Sequence, residues 1–507
     1  MLSEVYSAAV NGIDAYLIDV EVNAGWGDTL VVVVGLPDTA VKEARDRVTT
    51  ALANSGFKIP MGRTTINLAP ADVRKEGPSF DLPIALGMLA ASEQLEQKAL
   101  APFLITGELA LNGRVRPIKG SLSMALAARA NGLKAMLVPE LNASEAAAVE
   151  GVAVYPVKSL RDAVGFLRRE LELNPVSCDF KEGGQPSADG LDFADVNGQE
   201  SVKRGIEVAA AGGHNLLMVG PPGAGKTMLA KRIPSILPEF TRVEAIETSR
   251  IHSVVGLLGK DQPLVTRRPF RAPHHTISDA GLLGGTSNPS PGEISLAHNG
   301  VLFLDELPEF KRSVLETMRQ PLEEGRVTIS RASGTVTFPS AFMLIAAMNP
   351  TPDGKMPQES RCSPRQIQTY LNRVSGPLLD RIDLHVETPR VQFEEMVSRS
   401  KAESSIVIQQ RVEAARRRQA SRFSASRGGM CNARMSKADL NQWCRLDATA
   451  LHLLRVAMAD LDLSARAYDR ILKVSRTIAD LEAETDIQSH HIAEAIQYRS
   501  LDRQFWT

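Results

Sequence analysis

The first 171 residues alternate between short apolar runs and stretches in which apolar residues recur every three or four positions. The short runs predict strands, and the longer period predicts helices. The predicted strands are Leu30–Val34, Thr64–Leu68, Ala135–Pro139 and Val152–Val157, and the clearest predicted helices are Leu82–Ala91 and Ser121–Ala130. The pattern is that of a mixed α/β domain over residues 1–171.

This pattern breaks between residues 172 and 193. Proline and glycine recur between Leu173 and Gly190 without a sustained apolar period, which is typical of a linker. Residues 194–395 then resume the alternation of strands and helices, and residues 396–507 show a helical period with few strand signals. The sequence therefore predicts an α/β core with a parallel sheet, followed by a helical lid domain.

The composition is that of a globular protein, with 43% hydrophobic and 23% charged residues. The 58 basic residues nearly balance the 59 acidic ones, so a nucleic-acid-binding surface would have to be local. No apolar run approaches the ~20 residues that cross a bilayer, and the acidic N-terminus does not resemble a signal peptide. Four cysteines without a Cys-x-x-Cys pair exclude a disulfide scaffold. We expect a soluble, cytoplasmic protein that does not bind membranes.

Basic residues are concentrated in one part of the predicted lid. Seven arginines fall between Arg411 and Arg434 against the single acidic residue Glu413. Two interpretations stay open, a solvated helix face or a segment that contacts phosphates. The candidates for DNA contact in this segment are Arg416, Arg417 and Arg418.

One glycine-rich segment has a spacing that is specific for phosphate binding. It matches G-x-x-x-x-G-K-[ST] and consists of Gly220, Pro221, Pro222, Gly223, Ala224, Gly225, Lys226 and Thr227. A predicted strand precedes it and helix-forming residues follow, so backbone N–H groups and a helix N-terminus would face one anion. Lys226 would contact the β- and γ-phosphates, and the Thr227 hydroxyl would bind Mg²⁺. The segment predicts ATP and Mg²⁺ as cofactors.

Two further predicted strands end in polar residues. Val301–Leu304 is followed by Asp305 and Glu306. Because α/β sheets bind ligands at the carboxyl ends of their strands, Asp305 would hold Mg²⁺ and Glu306 would deprotonate the attacking water. A solvated acidic pair is the alternative interpretation. Met343–Met348 is followed by Asn349, whose amide would hydrogen-bond the water or the γ-phosphate, although Asn-Pro is also a common turn.

Two arginines are candidates for stabilising the transferred phosphoryl group. Arg381 precedes a predicted strand, and Arg466 begins a predicted helix. An arginine that contacts the transferred phosphoryl group typically accelerates hydrolysis by ~10³–10⁵-fold. The spacing does not indicate which of the two reaches the phosphate.

A hairpin is predicted between the Asp305 and Asn349 strands. Residues 325–338 form two alternating, β-rich arms around Arg331 and Gly334. Arg331 lies at the tip, where its charge could contact phosphates without reading bases. An ordinary edge hairpin is the alternative.

These motifs, in this order, resemble the AAA+ ATPases of the helix-2-insert group, which includes MCM helicases and magnesium-chelatase motor subunits. Phe270–Thr276, Pro291–Gly300 and Gly376–Asp383 resemble most closely the YifB/ComM family, and the match covers nearly the whole chain. The resemblance implies an AAA+ P-loop core and a hexameric motor that acts on branched DNA in recombination or natural transformation. It implies further that Arg381 is an arginine finger acting in trans and that Arg466 is a second sensor on the lid. The implied partners are DNA, further copies of the chain and recombination proteins.

Residues 1–171 resemble the proteolytic domain of Lon, whose α+β fold is also that of ribosomal protein S5 domain 2. The resemblance lies in Lys75–Ser79 and Ile105–Ile118. It places Ser79 at the position of the Lon nucleophile, but the catalytic lysine aligns with Leu122. Lys119 is three residues away. Because a serine needs an adjacent base to become nucleophilic, we expect a domain without peptidase activity.

Two expectations concern metals and alternative functions. Cys362 is the one cysteine in the segment after Asn349, where the resemblance suggests a cysteine cluster, so we predict no structural metal beyond Mg²⁺. The adjacent His274 and His275 are not expected to share an ion. A magnesium-chelatase motor subunit and a nucleotide-gated scaffold are the competing functions. The Lon-like domain argues against the first, and the predicted hydrolytic residues argue against the second.

Overall fold

The computed structural model describes residues 2–28, 30–35, 38–71, 75, 77–178, 190–259, 262–285, 289–331, 334–391, 402–423, 430–461 and 463–501. The chain divides into two compact units. The first consists of Met1–Lys181 and Ala245–Thr266, and the second of Glu182–Glu244 and Arg267–Thr507. The middle of the predicted linker lies outside the described residues.

The first unit is built on a seven-stranded mixed sheet with the order β3-β4-β2-β1-β5-β8-β9. Its strands are β1 (Leu2–Asn11), β2 (Asp14–Ala24), β3 (Leu30–Val34), β4 (Arg63–Ala69), β5 (Phe103–Ile105), β8 (Ala135–Pro139) and β9 (Ala153–Val157), and β6 (Glu108–Leu109) pairs separately with β7 (Val115–Arg116). Its helices are α1 (Thr39–Asn54), α2 (Asp81–Ala91), α3 (Gln97–Leu100), α4 (Ser121–Ala130), α5 (Glu140–Ala146) and α6 (Leu160–Leu167). Every residue of α2 is buried, which explains its uninterrupted apolar sequence.

A segment of the predicted ATPase range belongs to this first unit. Leu264 is 1% exposed and packs in one cluster with Leu104 and Leu122. Arg250 donates a hydrogen bond to the Ile13 carbonyl oxygen (3.0 Å), and the Ser253 hydroxyl donates one to the Glu145 carboxylate. The predicted ATPase range of residues 194–395 is therefore interrupted, because Ala245–Thr266 completes the core of the first unit.

The second unit contains a five-stranded sheet with the order β11-β12-β15-β10-β16. Its strands are β10 (Leu216–Val219), β11 (Phe270–Arg271), β12 (Val301–Leu304), β15 (Met343–Met348) and β16 (Leu384–Glu387). All neighbours pair in parallel. Each residue of β10, β12 and β15 is buried, as expected of strands covered on both faces. The predicted parallel sheet is confirmed.

Helices cover this sheet and form the whole described lid. They are α7 (Glu200–Gly212), α8 (Lys226–Arg232), α10 (Asp279–Leu283), α11 (Glu293–Leu296), α12 (Arg312–Thr317), α13 (Arg319–Glu324), α14 (Pro364–Leu371), α15 (Gly376–Leu379), α16 (Ser405–Arg422), α17 (Lys437–Trp443), α18 (Ala448–Asp460), α19 (Ala465–Leu481) and α20 (Ser489–Gln497). Most of α9 (Arg242–Val255) belongs to the first unit. Val412, Ile471 and Ile478 share one buried cluster with Leu216 and Ile345 of the sheet. The lid therefore packs into the core of the second unit.

No helix in the described part of the chain is long and apolar enough to cross a membrane.

Substitution of Leu264 tests the assignment of residues 245–266 to the first unit. Leu264→Ala should lower the free energy of unfolding of that unit by about 2–4 kcal/mol, because a buried leucine is lost. Amide hydrogen exchange of α4 and β8 measures the change. Leu257→Ala is the matched control, since Leu257 lies in the same segment and is 53% exposed. Equal protection of α4 in both variants would contradict the assignment.

Candidate nucleotide site

The glycine-rich loop joins the end of β10 to the start of α8. Gly223 and Gly225 have φ angles of +78° and +84°, which glycine adopts without strain. A Cβ atom on Gly220 would lie 2.1 Å from the carbonyl oxygen of Thr388. Backbone conformation and close packing thus require glycine at these positions, and the N–H groups of the loop are left to face an anion.

The amino group of Lys226 points into the loop. Its Nζ donates to the carbonyl oxygens of Gly220 (2.5 Å) and Pro221 (3.0 Å) and to Oδ1 of Asn349 (3.2 Å). Burial lowers the pKa of Lys226, while the charges of Asp305 and Glu306 act in the opposite direction. Phosphate oxygens could replace the carbonyl oxygens as acceptors and would form stronger, charge-assisted bonds.

Thr227 and Asp305 provide the oxygen atoms that fit a magnesium ion. The Thr227 hydroxyl donates to Oδ2 of Asp305 at 2.7 Å, and Oδ1 of Asp305 accepts the N–H of Glu306 at 3.0 Å. Hydroxyl and carboxylate oxygens are the ligands that Mg²⁺ prefers, together with phosphates and water. The predicted pair comes together although 78 residues separate its members.

Glu306 lies just beyond the end of β12 and extends toward solvent. Its φ angle is +53°, which is uncommon for a residue other than glycine and often marks a functional position. Its side chain is 58% exposed, and Oε2 lies 3.5 Å from Nδ1 of His275. A carboxylate in this place can accept a proton from water. His275 was not predicted as a site residue, although its motif was identified.

The rings of His274 and His275 lie side by side, with centroids 4.0 Å apart. The segment that carries them is irregular rather than a strand or helix, which allows the two rings to lie side by side. Their hydrogen bonds still differ, since Nδ1 of His274 contacts Oγ1 of Thr276 (2.9 Å) and Nδ1 of His275 faces Glu306.

Asn349 follows β15 and is held from two sides. Its Oδ1 accepts from Lys226, and its carbonyl oxygen accepts from the Tyr370 hydroxyl at 3.3 Å. Burial raises the pKa of Tyr370 to about 12, so the hydroxyl remains a donor. Asn349 thus lies beside the glycine-rich loop, in hydrogen-bond contact with Lys226. Tyr370 was missed because its position is set by α14, 21 residues further along the chain.

The Asp353 carboxylate holds the segment after Asn349 together through hydrogen bonds. Asp353 accepts hydrogen bonds from the Thr351 hydroxyl (2.6 Å), the Ser360 hydroxyl (2.8 Å) and the Arg361 N–H (2.9 Å). These hydrogen bonds hold the pKa of Asp353 well below its usual range, and the bond from Thr351 contributes most. A Cβ atom on Gly354 would lie 2.6 Å from the Pro222 ring, so the segment packs directly on the phosphate loop.

Gln199 connects the phosphate loop to the end of β16. Its amide nitrogen donates to the carbonyl oxygens of Ala224 (2.8 Å) and Pro389 (2.7 Å), and its φ angle is +57°. No local sequence signal identifies it, because both partners are distant in the chain.

Arg381 and Arg466 lie at the opposite edge of the sheet. β16 runs parallel to β10 with Leu384 beside Leu216, so Arg381 precedes the amino end of its strand. The phosphate loop follows the carboxyl end of β10, and four strand residues span ~13 Å. Nη1 of Arg466 lies 3.9 Å from Asp380, beside Arg381. Both arginines line one cavity of about 440 Å³. The structure does not bring either to the glycine-rich loop of its own chain.

Asn215 fixes the strand ends at this second edge. Its amide donates to the Arg381 carbonyl oxygen (2.9 Å) and accepts from the Leu344 N–H (2.9 Å). Its own N–H donates to Asp383 at 3.0 Å. Burial opposes ionisation of Asp383, but the hydrogen bond and charge of His214 outweigh it and lower the pKa to about 2. Asn215 was predicted only as part of a strand.

The predicted hairpin is present, with β13 (Arg326–Arg331) antiparallel to β14 (Gly334–Pro339). Val327 and Phe338 are buried, while the other face carries exposed hydroxyl groups such as that of Thr328. Nη2 of Arg331 donates to the Gly285 carbonyl oxygen at 2.9 Å. Arg331 is exposed but not free, and the two tip residues, 332 and 333, lie outside the described residues.

The three lid arginines do not form one basic face. Arg416 donates to the Ala210 carbonyl oxygen (3.1 Å) and Arg418 to that of Asp480 (2.8 Å), whereas Arg417 is exposed. Successive residues of a helix point in different directions, which explains the difference. Arg417 is the member of this group that the structure leaves toward solvent.

In the described part of the first unit, no hydrogen bond joins Ser79 to Lys119, the residues considered for a serine–lysine pair. The Ser79 carbonyl oxygen accepts from the Gly107 N–H, and Ser79 is 7% exposed. Leu122 is fully buried, and its N–H donates to Glu145 (3.1 Å). Lys119 is exposed, and its aliphatic chain lies against Gly256.

Within the described residues, one group of three side chains brings metal-binding atoms together: Glu482, His490 and His491. Nε2 of His490 and of His491 lie 3.0 and 3.1 Å from one Glu482 oxygen. Nδ1 of His491 accepts the Gln488 N–H (2.9 Å), so its Nε2 carries the proton that Glu482 accepts. The group is better explained as a hydrogen-bonded cluster than as a metal site.

Comparison with known proteins identifies three family profiles along the chain. Residues 192–396 match the profile described as magnesium chelatase, subunit ChlI, residues 20–142 match subunit ChlI of Mg-chelatase, and residues 402–499 match the ChlI C-terminal profile. The chain is 46% identical to competence protein ComM of Haemophilus influenzae, over 99% of this chain and 98% of that protein. It is 44% identical to YifB of Escherichia coli over the same shares. It is 40% identical to protein Rv2897c of Mycobacterium tuberculosis, over 98% of both chains.

Two substitutions separate nucleotide binding from hydrolysis. Lys226→Ala should weaken Mg²⁺–ATP binding by at least ~100-fold, because charge-assisted bonds contribute ~1.5–3 kcal/mol each. Glu306→Gln should retain binding and lose turnover, since only the proton acceptor is removed. Calorimetric titration and phosphate release measure the two effects. Lys231→Ala, an exposed lysine on the same helix, is the control. Wild-type hydrolysis by Glu306→Gln would show that another group is the base.

Proposed function

Because the chain belongs to the ComM/YifB family of magnesium-chelatase-like AAA+ ATPases, we propose that it is a hexameric motor that uses ATP hydrolysis to move branched DNA. Branch migration or unwinding during recombination or natural transformation is the process that we assign to it. The name of the Haemophilus relative, a competence protein, supports this assignment. Recombination proteins and a cytoplasmic location are part of the same proposal.

The chemistry follows from the carboxyl edge of the sheet. Thr227 and Asp305 would hold Mg²⁺, and the bound ion would neutralise charge on the β- and γ-phosphate oxygens. Lys226 pairs with the same phosphates, and Asn349 orients the attacking water or the γ-phosphate. Glu306 accepts the proton of that water. Each of these residues lies at or just beyond the end of β10, β12 or β15.

The proposal of a ring rests on the position of Arg381. Its guanidinium lies at the amino edge of the sheet, and the phosphate loop of its own chain lies at the carboxyl edge. An arginine that stabilises the transferred phosphoryl group would therefore come from a neighbouring copy. Arg466 beside it would act on the same neighbour. Such head-to-tail contacts form a ring when the rotation between copies closes, and a closed ring is the arrangement that we propose.

The hairpin β13–β14 is the proposed DNA-contacting element. It directly connects the segment after the Asp305 strand with the Asn349 strand, so a change at either strand end can reach it. Arg331 and the hydroxyl face would contact phosphates without reading bases. Arg417 is the proposed contact on the lid, with Arg416 and Arg418 in supporting positions. The Lon-like unit would serve assembly or DNA contact.

A magnesium-chelatase motor subunit is the second candidate. The profiles that match the chain carry that name, and one of them covers residues 20–142 of the first unit. The full-length similarity to ComM favours the DNA motor.

Four-way DNA distinguishes the two functions. ATP hydrolysis by the full chain should rise several-fold with a four-way junction and less with blunt linear duplex, since the motor is proposed to act on branches. The motor should separate the junction into its duplex products in an ATP-dependent reaction, which gel electrophoresis detects. The proposal would be overturned if the rate of ATP hydrolysis were the same with and without DNA and the junction stayed intact.

Mixed rings test the action of Arg381 in trans. Arg381→Ala should bind ATP normally and hydrolyse it at least ~10³-fold more slowly. Adding Lys226→Ala subunits should restore part of the rate, because they offer an intact finger to sites with an intact lysine. The control is the Lys226→Ala/Arg381→Ala double variant, which offers no finger and should restore nothing. If both mixtures behave alike although mixed rings form, Arg381 does not act in trans.

A further inference from the structure

We propose that Glu323 is a positioning residue that holds Arg381 in an inactive place and releases it when the hairpin β13–β14 moves. The inference rests on the proposed function, because it concerns how DNA contact at the hairpin would control hydrolysis at the neighbouring site. Arg381 would have two alternative partners, either Glu323 of its own chain or a phosphate of the neighbour's nucleotide. The choice between them would control hydrolysis.

Arg381 is sequestered within its own chain. Its Nη2 donates to the Glu323 carboxylate, and its Nη1 donates to the Pro377 carbonyl oxygen at 2.5 Å. Its side chain is only 10% exposed, whereas that of Glu323 is 52% exposed. A finger in this arrangement does not project from the surface. It must leave Glu323 before it can reach another subunit.

The sequestered arrangement leaves one polar atom unsatisfied. Nε of Arg381 is buried and has no hydrogen-bond partner among the described residues. A buried donor without a partner is unfavourable, because it has lost its hydrogen bonds to water. Release into contact with phosphate oxygens would satisfy this donor as well, because a guanidinium can bind a phosphate in a bidentate manner. Contact with phosphate would therefore compensate for part of the loss of the Glu323 pair.

Glu323 is attached to the base of the hairpin. It lies in the last turn of α13, and Gly325 follows with a φ angle of +65° before β13 begins at Arg326. The Ser340 N–H donates to the Gly325 carbonyl oxygen at 2.8 Å, which joins the two arms at this base. Displacement of the hairpin would thus move Glu323 by chain connection alone.

Electrostatics oppose the simultaneous presence of Glu323 and a nucleotide around one arginine. Glu323 carries a negative charge, and an approaching triphosphate carries several, so they repel at short distance. DNA that binds the hairpin and shifts Glu323 would favour the released state, and a bound neighbouring nucleotide would favour the same state. By linkage, the two ligands then stabilise each other.

The test is Glu323→Gln in the full chain, which removes the charge and keeps the shape. The DNA-free hydrolysis rate should rise at least ~5-fold, the lower end of typical coupling. The ratio of rates with and without four-way DNA should fall toward one. Glu324→Gln is the matched control, because Glu324 pairs with Arg326 and not with Arg381. It should leave both quantities unchanged.

A second variant separates release of the finger from an unspecific effect. In the Arg381→Ala background, Glu323→Gln should change neither the rate nor the ratio, because no finger remains to be released. An unchanged or lower DNA-free rate in Glu323→Gln, or an equal rise in the Arg381→Ala background, would overturn the inference. Wild-type protein that ignores DNA would instead contradict the proposed function, and the DNA-free rates would still decide whether Glu323 restrains Arg381.

Discussion

A five-stranded parallel sheet gives the ATPase unit two chemically different edges, and the rest of the structure depends on this difference. At the carboxyl edge, chain direction collects Lys226, Asp305 and Asn349 around one loop. At the amino edge, it collects Arg381 and Arg466 beside the acidic residues Asp380 and Asp383. Under the proposed function, the phosphate-binding residues and the arginines of one active site would therefore come from two copies of the chain, and hydrolysis would require their assembly.

The elements that were predicted correctly are those set by local chemistry. β12 and β15 have the predicted limits because they are fully buried and therefore uniformly apolar. The glycine-rich loop could be identified for a similar reason, since its conformation and its ligand both depend on consecutive residues. Tyr370, Gln199 and Asn215 could not be identified, because each acts through a partner that only the tertiary fold brings near.

The boundary at residues 245–266 shows a second limit of local patterns. Helical periodicity in α9 reports that one face is buried but not which core buries it. Contacts of Leu264 and Arg250 with residues more than one hundred positions away identify the core that buries this segment. The lid arginines show the converse, because a basic cluster in sequence is divided by helix geometry into bonded and exposed members.

Cross-linking between isotopically distinct chains tests the central claim most directly. Light and heavy chains, each with a photoreactive side chain in place of Arg466, would be mixed, assembled with a non-hydrolysable ATP analogue and irradiated. Arg466 is suited because it is 60% exposed and lies beside the Arg381 turn. The account predicts that the peptide containing Lys226 is cross-linked in mixed light–heavy pairs. Cross-links to that peptide that join only light to light and heavy to heavy would show that one chain contains both halves of its site, and would contradict the account.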